Sequence, residues 1–173
     1  MSEKEVIREE FKDEKKDLNI LQGYDDISKS EEKIETSPDK YSVVILNDFG
    51  SNKSDTIVET VDASSDAFGK YKTWAEQNEI ALIGNFQNGR TVSINYSTYE
   101  MRSKVISELY EKVMKKGYQG VCLQFDEIDD INSFQRFVIE LTPKFRDSGL
   151  KVFVKVRDES QKEKLKKIVD YVI

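Results

Sequence analysis

The chain has 173 residues, 27 of them basic and 33 acidic, with no histidine, one cysteine and two prolines. The lack of histidine excludes Ser-His-Asp and Cys-His nucleophile pairs and any His-ligated zinc, and a single cysteine excludes an internal disulfide framework or a Cys-only metal cluster. No apolar run reaches the roughly 18 residues a membrane span needs, and a net charge of −6 disfavours a nucleic-acid partner, which wants a basic stripe.

The charge is uneven: residues 1–40 carry −5 of the −6, leaving a near-neutral body over 41–173. The opening MSEKEVIREEFKDEKKD has charges where a signal peptide has its apolar segment, so the chain as written is expected in the cytoplasm. Residues 1–22 have helix-forming composition, with a partial stripe at Ile7, Phe11 and Leu18 that would need a surface to dock on. Residues 23–40, GYDDISKSEEKIETSPDK, read as a polar, acidic linker. The expected organisation is a charged, largely flexible arm over 1–40 and one α/β domain over 41–173.

That domain reads as a βα series. Tyr41–Leu46 is a short, β-branched run typical of a strand buried on both faces, ended by Asn47-Asp48-Phe49-Gly50. These last letters imitate a kinase Asp-Phe-Gly motif, but a chain without histidine has no His-Arg-Asp loop. Residues 51–63 read as irregular or as a β-ribbon around Thr56-Ile57-Val58. A helix follows over Ser65–Gln77, with Phe68, Tyr71 and Trp74 on one side, then a strand Ile80–Ile83 ended by Gly84-Asn85-Phe86. Ser97-Thr-Tyr-Glu100 fits a capping box, and Met101, Val105, Leu109 and Val113 continue it as a helix that Gly117 stops. Strand Gly120–Asp126, helix 130–146, strand Leu150–Val156, helix 160–169 and a strand begun at Tyr171 complete the series. Strands alternating with helices imply parallel βαβ units, either part of a (β/α)8 barrel or a small open sheet. With no Gly-x-Gly-x-x-Gly and no Gly-Lys-Ser/Thr loop, no nucleotide or other cofactor is expected, and no metal set is apparent.

Period two divides the strand Gly120–Asp126. Val121, Leu123 and Phe125 face the helices, while Cys122, Gln124 and Asp126 face the other way. Polar groups in a buried parallel strand are costly unless paired or facing a site, and the carboxyl ends of such strands are where α/β folds hold ligands.

The run from Glu79 to Val156 resembles glycoside hydrolase family 18, in particular its bacterial branch acting on spore cortex and other peptidoglycan-type glycans. Ile80-Ala-Leu-Ile-Gly-Asn85 resembles that family's third strand, and Met101-Arg102 with Lys116-Gly-Tyr-Gln-Gly-Val121 resembles the lead-in to the fourth. Phe134–Pro143 resembles the next helix and Gly149–Val154 the fifth strand. The resemblance implies a partial, truncated TIM-barrel-like domain covering strands two to five. The family signature Asp-x-x-Asp-x-Asp-x-Glu falls on Gln119–Asp126, with Gln119, Cys122, Gln124 and Asp126 at the acidic places. In the family the terminal glutamate protonates the glycosidic oxygen, and a neighbouring aspartate orients the substrate acetamido group that serves as nucleophile. Here three acids are gone and Asp126 is a methylene short.

The resemblance therefore implies a degenerate, non-catalytic module that binds an N-acetylglucosamine-containing glycan of chitin or peptidoglycan type. Asp126 and Gln124 stand at the catalytic places, and Asn47, Asp48, Asn85 and Phe86 are the candidate ligand contacts at the strand ends, with Phe86 offering a ring to a sugar face. Each has a plainer reading as a strand-end or filling residue, and Cys122 reads as a small buried hydrophobe. The alternatives are an interaction module that self-associates or meets a partner chain across open sheet edges, and a weak glycosidase using Asp126 as general acid. As a piece of a longer protein, the chain would be extracellular or spore-associated.

Overall fold

The computed structural model describes residues 20–24, 27–36, 41–51, 57–88, 96–125 and 130–173. Its elements in chain order are β1 (Ile20–Tyr24), α1 (Ile27–Thr36), β2 (Val43–Ser51), β3 (Ile57–Glu59), α2 (Asp66–Gln77) and β4 (Ala81–Asn88). There follow α3 (Tyr99–Lys116), β5 (Gly120–Phe125), α4 (Ile131–Asp147), β6 (Lys151–Lys155), α5 (Glu159–Leu165) and β7 (Tyr171–Val172). The sheet order is β1-β2-β4-β5-β6-β7, every neighbour on this path parallel, while β3 returns antiparallel along the end of β2. The sheet stays open, as in a barrel not carried to closure.

Four of the helices begin on a capping side chain. Ser65 accepts from Phe68 N, Asp130 from Ser133 N and Asp158 from Gln161 N, each side chain satisfying one of the first orphan donors. The expected capping box shifts by one residue. Thr98, in extended backbone, is the cap and accepts from Met101 N, so the third helical position is a methionine that cannot return the bond. Gly117, at φ 74°, supplies the left-handed stop of α3.

The helices bury their apolar stripes on one sheet face. Val44, Leu46, Leu82, Val121, Leu123, Val152 and Val154 meet Phe68, Val105, Leu109, Phe137, Leu141 and Leu165 there. Gly84 is required by this packing: a Cβ would stand 2.6 Å from the Phe49 ring and 3.0 Å from Tyr118. The other face carries a smaller cluster of Val43, Ile45, Ile83, Cys122, Phe153 and Tyr171. No helix among the described residues is long and apolar enough to cross a membrane.

Three expectations need correction. The linker expected over 23–40 gives way to the last residues of β1 and to α1, and Ile34 packs on the main core. β1 is an outer strand whose support comes from pairing with Val43–Leu46, a non-local contact that no local pattern reports. Among the described residues six parallel strands are therefore present, rather than four and a fifth begun. Finally, β2 runs on to Ser51 and β4 to Asn88, so Asn47, Asp48, Asn85 and Phe86 lie within strands and not at their ends. Residues 1–19 and 37–40 of the arm lie outside the described residues.

Candidate functional site

The helix-free face is apolar towards the amino ends of the strands and becomes polar towards their carboxyl ends. Val43 and Ile45 lead to Asn47, Ala81 and Ile83 to Asn85, Cys122 to Gln124, and Phe153 to Lys155, because alternate residues share a face. Asn47 and Asn85 are in register. The Asn85 amide donates through Nδ2 to Asn47 Oδ1 at 2.9 Å and to Gln124 Oε1 at 2.8 Å. Three side chains from three adjacent strands thus form one amide relay. Asn85 is 2% exposed, and its Oδ1 is buried without a hydrogen-bond partner among the described residues. An acceptor left in that state costs about 1–3 kcal/mol.

Asp48 and Phe86 do not join it. The pairing passes from Asn47↔Asn85 directly to Phe49↔Phe86, leaving Asp48 as the extra residue of a bulge. Its carboxylate turns to the helix side and is 1% exposed. There it accepts from Lys116 Nζ at 2.7 and 2.9 Å, Tyr118 OH at 2.6 Å, and the backbone N–H groups of Thr60 and Val61 at 3.0 and 2.9 Å. Burial, then the adjacent carboxylate, push the Tyr118 phenol far above its ordinary range. Phe86 is fully buried in the helix-side core, edge-on to Phe125 at 6.0 Å. The expected ligand contacts at Asp48 and Phe86 are corrected accordingly: one holds the fold together electrostatically, the other fills the core.

The signature places of β5 and its approach fare differently again. The Gln119 side chain accepts from Leu82 N at 3.1 Å, fastening the start of β4. Cys122 is 1% exposed and burial pushes its thiol up to about 12, which keeps it a neutral hydrophobe. Gln124 joins the relay, and Asp126 lies outside the described residues. Among the described strand residues the relay face carries no carboxylate. Amides hydrogen-bond hydroxyl and acetamido groups well, but they neither protonate a leaving oxygen nor neutralise a developing cation. Lys155, in register with Gln124, was not singled out from the sequence, although period two along Lys151–Lys155 places it on this face.

An open, mostly parallel α/β sheet with one helix layer and a polar carboxyl end on the other face is the architecture of a partial TIM-type barrel. Solved structures share it. The C-terminal domain of a putative chitinase from Desulfitobacterium hafniense DCB-2 superposes with a TM-score of 0.72 at 18% identity, covering 90% of this chain and 52% of that one. Chitinase from Chromobacterium violaceum ATCC 12472 gives 0.69 at 14% identity, over 90% of this chain and 54% of that one. The Bacillus cereus spore cortex-lytic enzyme SleL gives 0.67 at 15% identity, over 90% and 39%. The likeness to glycoside hydrolase family 18 read from the sequence is thus found in the fold. The chain spans about half the length of the two chitinase structures and less of SleL. No family model and no curated protein matches the sequence.

Proposed function

We propose that this chain is a non-hydrolytic glycan-binding module on a chitinase-type partial barrel, taking an N-acetylglucosamine-containing glycan at the carboxyl end of the helix-free face. The observation that carries this reading is the Asn47–Asn85–Gln124 relay with its unpartnered buried acceptor. One of its members, Gln124, stands at a place where the family signature has an acid. A sugar hydroxyl or acetamido N–H supplies the missing donor, and the surrounding amides orient the ring without acid catalysis. Calorimetry and product analysis with chitooligosaccharides and peptidoglycan fragments test it together. Binding heat with background turnover is expected. Turnover that disappears in Asp126→Ala would sink the non-hydrolytic reading, and no heat with any N-acetylated glycan would sink the binding reading.

The open edges favour a second reading, an interaction module. Among the described residues β1 and β7 end the sheet with unpaired outer sides, and exposed strand edges invite pairing. Sedimentation at rising concentration is expected to show self-association, or association with a partner chain once one is supplied. A strict monomer that binds glycan would retire this alternative.

A further inference from the structure

We propose that Lys116 and Tyr118 are positioning residues for the amide relay: from the helix side of the sheet they clamp β2 against β4, so that Asn47 and Asn85 meet across that strand pair. The inference rests on the glycan-binding reading and adds to it the part of the molecule that sets the site's geometry. Lys116 is the last residue of α3 and Tyr118 lies just beyond its Gly117 stop, each 3% exposed.

Two chain neighbours carry the grip to the relay. Asp48 follows Asn47 and is the bulge residue that the β2–β4 pairing skips. Its carboxylate takes both Lys116 Nζ contacts, at 2.7 and 2.9 Å, and the Tyr118 hydroxyl at 2.6 Å. A bulged residue stands outside the ladder, so where its side chain is tied sets the meeting of Asn47 with Asn85 on one side and of Phe49 with Phe86 on the other. Gly84 precedes Asn85. A Cβ there would stand 2.6 Å from the Phe49 ring and 3.0 Å from Tyr118, so these two rings, edge to face with centres 5.8 Å apart, press on the β4 backbone beside the Asn85 amide. Lys116 Nζ closes the clamp over Phe49, 5.2 Å from the ring centre. The Asn47–Asn85 bond crosses the clamped strands. The Asn85–Gln124 bond crosses β4 and β5, whose register runs unbroken from Gly84↔Val121 to Asn88↔Phe125. Loosening the clamp therefore opens one side of the relay and spares the other, a distinction that a general loss of stability does not make.

NMR of the isotope-labelled whole chain reads this without any ligand, because the two Asn85 Nδ2 protons go to different acceptors. In Lys116→Met the proton donated to Asn47 should move upfield as its bond lengthens, and the proton donated to Gln124 should hold. Tyr118→Phe keeps the ring and removes one contact to Asp48, so it should give the same pattern at smaller amplitude. Leu165→Ala, a loss from the core at the end of α5, should move neither. Calorimetry with chitotetraose, at a temperature where each variant is folded, should show affinity lowered about five-fold in Lys116→Met, roughly the worth of one neutral hydrogen bond, and unchanged in Leu165→Ala. Equal movement of both protons, movement of neither, or the same pattern in Leu165→Ala overturns the clamp, as does full affinity in Lys116→Met. No heat from the unaltered chain overturns the glycan reading and the clamp's role in binding, while the ligand-free spectra still decide whether Lys116 and Tyr118 hold the relay.

Discussion

Replacing Asp48 by alanine tests whether that carboxylate holds the fold or touches a ligand. The substitution removes the acceptor of two contacts from Lys116 Nζ, one from Tyr118 OH and two from backbone N–H groups. Lys116, 3% exposed, would keep Val61 O at 2.6 Å, the exposed Glu59 at 3.1 Å and the face of the Phe49 ring. Breaking a buried pair from one side costs about 3–5 kcal/mol, at least about a fifth of a typical domain's stability of roughly 5–15 kcal/mol. Lys116→Met removes less. Asp48 retains three hydrogen bonds, and the methionine keeps the apolar stem beside Phe49, so about 2 kcal/mol is expected. Urea denaturation followed by circular dichroism and Trp74 fluorescence reads both, since Trp74 stacks on the buried Tyr71 at 5.4 Å. With a slope of about 2 kcal/mol per molar, Asp48→Ala should lower the midpoint by about 2 M and Lys116→Met by about 1 M. A midpoint unchanged in Asp48→Ala, or the reverse order of the two variants, would refute this placement of Asp48.

Phe86→Ala should cost about 3–5 kcal/mol in the same assay, whereas a stable variant with weakened glycan binding would return Phe86 to the site. Native Cys122 should resist iodoacetamide at pH 8 and react only on unfolding, because burial pushes its thiol up to about 12; rapid labelling of the folded chain would contradict its placement. Partial burial raises the Glu59 carboxyl, but hydrogen bonds from Lys112 and Lys116 outweigh that and hold it below its usual 4.5. Its contribution is therefore complete above that pH and lost as pH falls through the lower folded value, so Glu59→Gln should flatten the decline of the urea midpoint in acid, and an unchanged profile would count against the pairing. Amide exchange is expected to be faster in Ile27–Thr36 than in α3, since Ile34 is the described α1 residue packed on the core; equal protection would place α1 within the cooperative unit.

The helices and the parallel order were legible because their signals are local: apolar spacing, capping side chains and Gly117 fall within a few residues of what they shape. The relay was half legible. Period two along Ala81–Phe86 already sets Asn85 beside Ile83 and Phe86 opposite, yet treating both as strand-end residues put them on one rim. Asp48 is harder, since its role depends on a bulge against β4 and on Lys116 and Tyr118 far along the chain. β1 was hidden for the same reason: its five residues carry little pattern of their own and gain order from β2.

The most direct test of the central claim is a titration of the isotope-labelled chain with chitotetraose, followed through side-chain amide resonances. Glycan seated on the relay should shift the Asn85 and Gln124 side-chain amide signals together and saturably, with the Trp74 indole unmoved. Binding that shifts other residues and leaves Asn85 and Gln124 in place, or a full titration without any change, would contradict it.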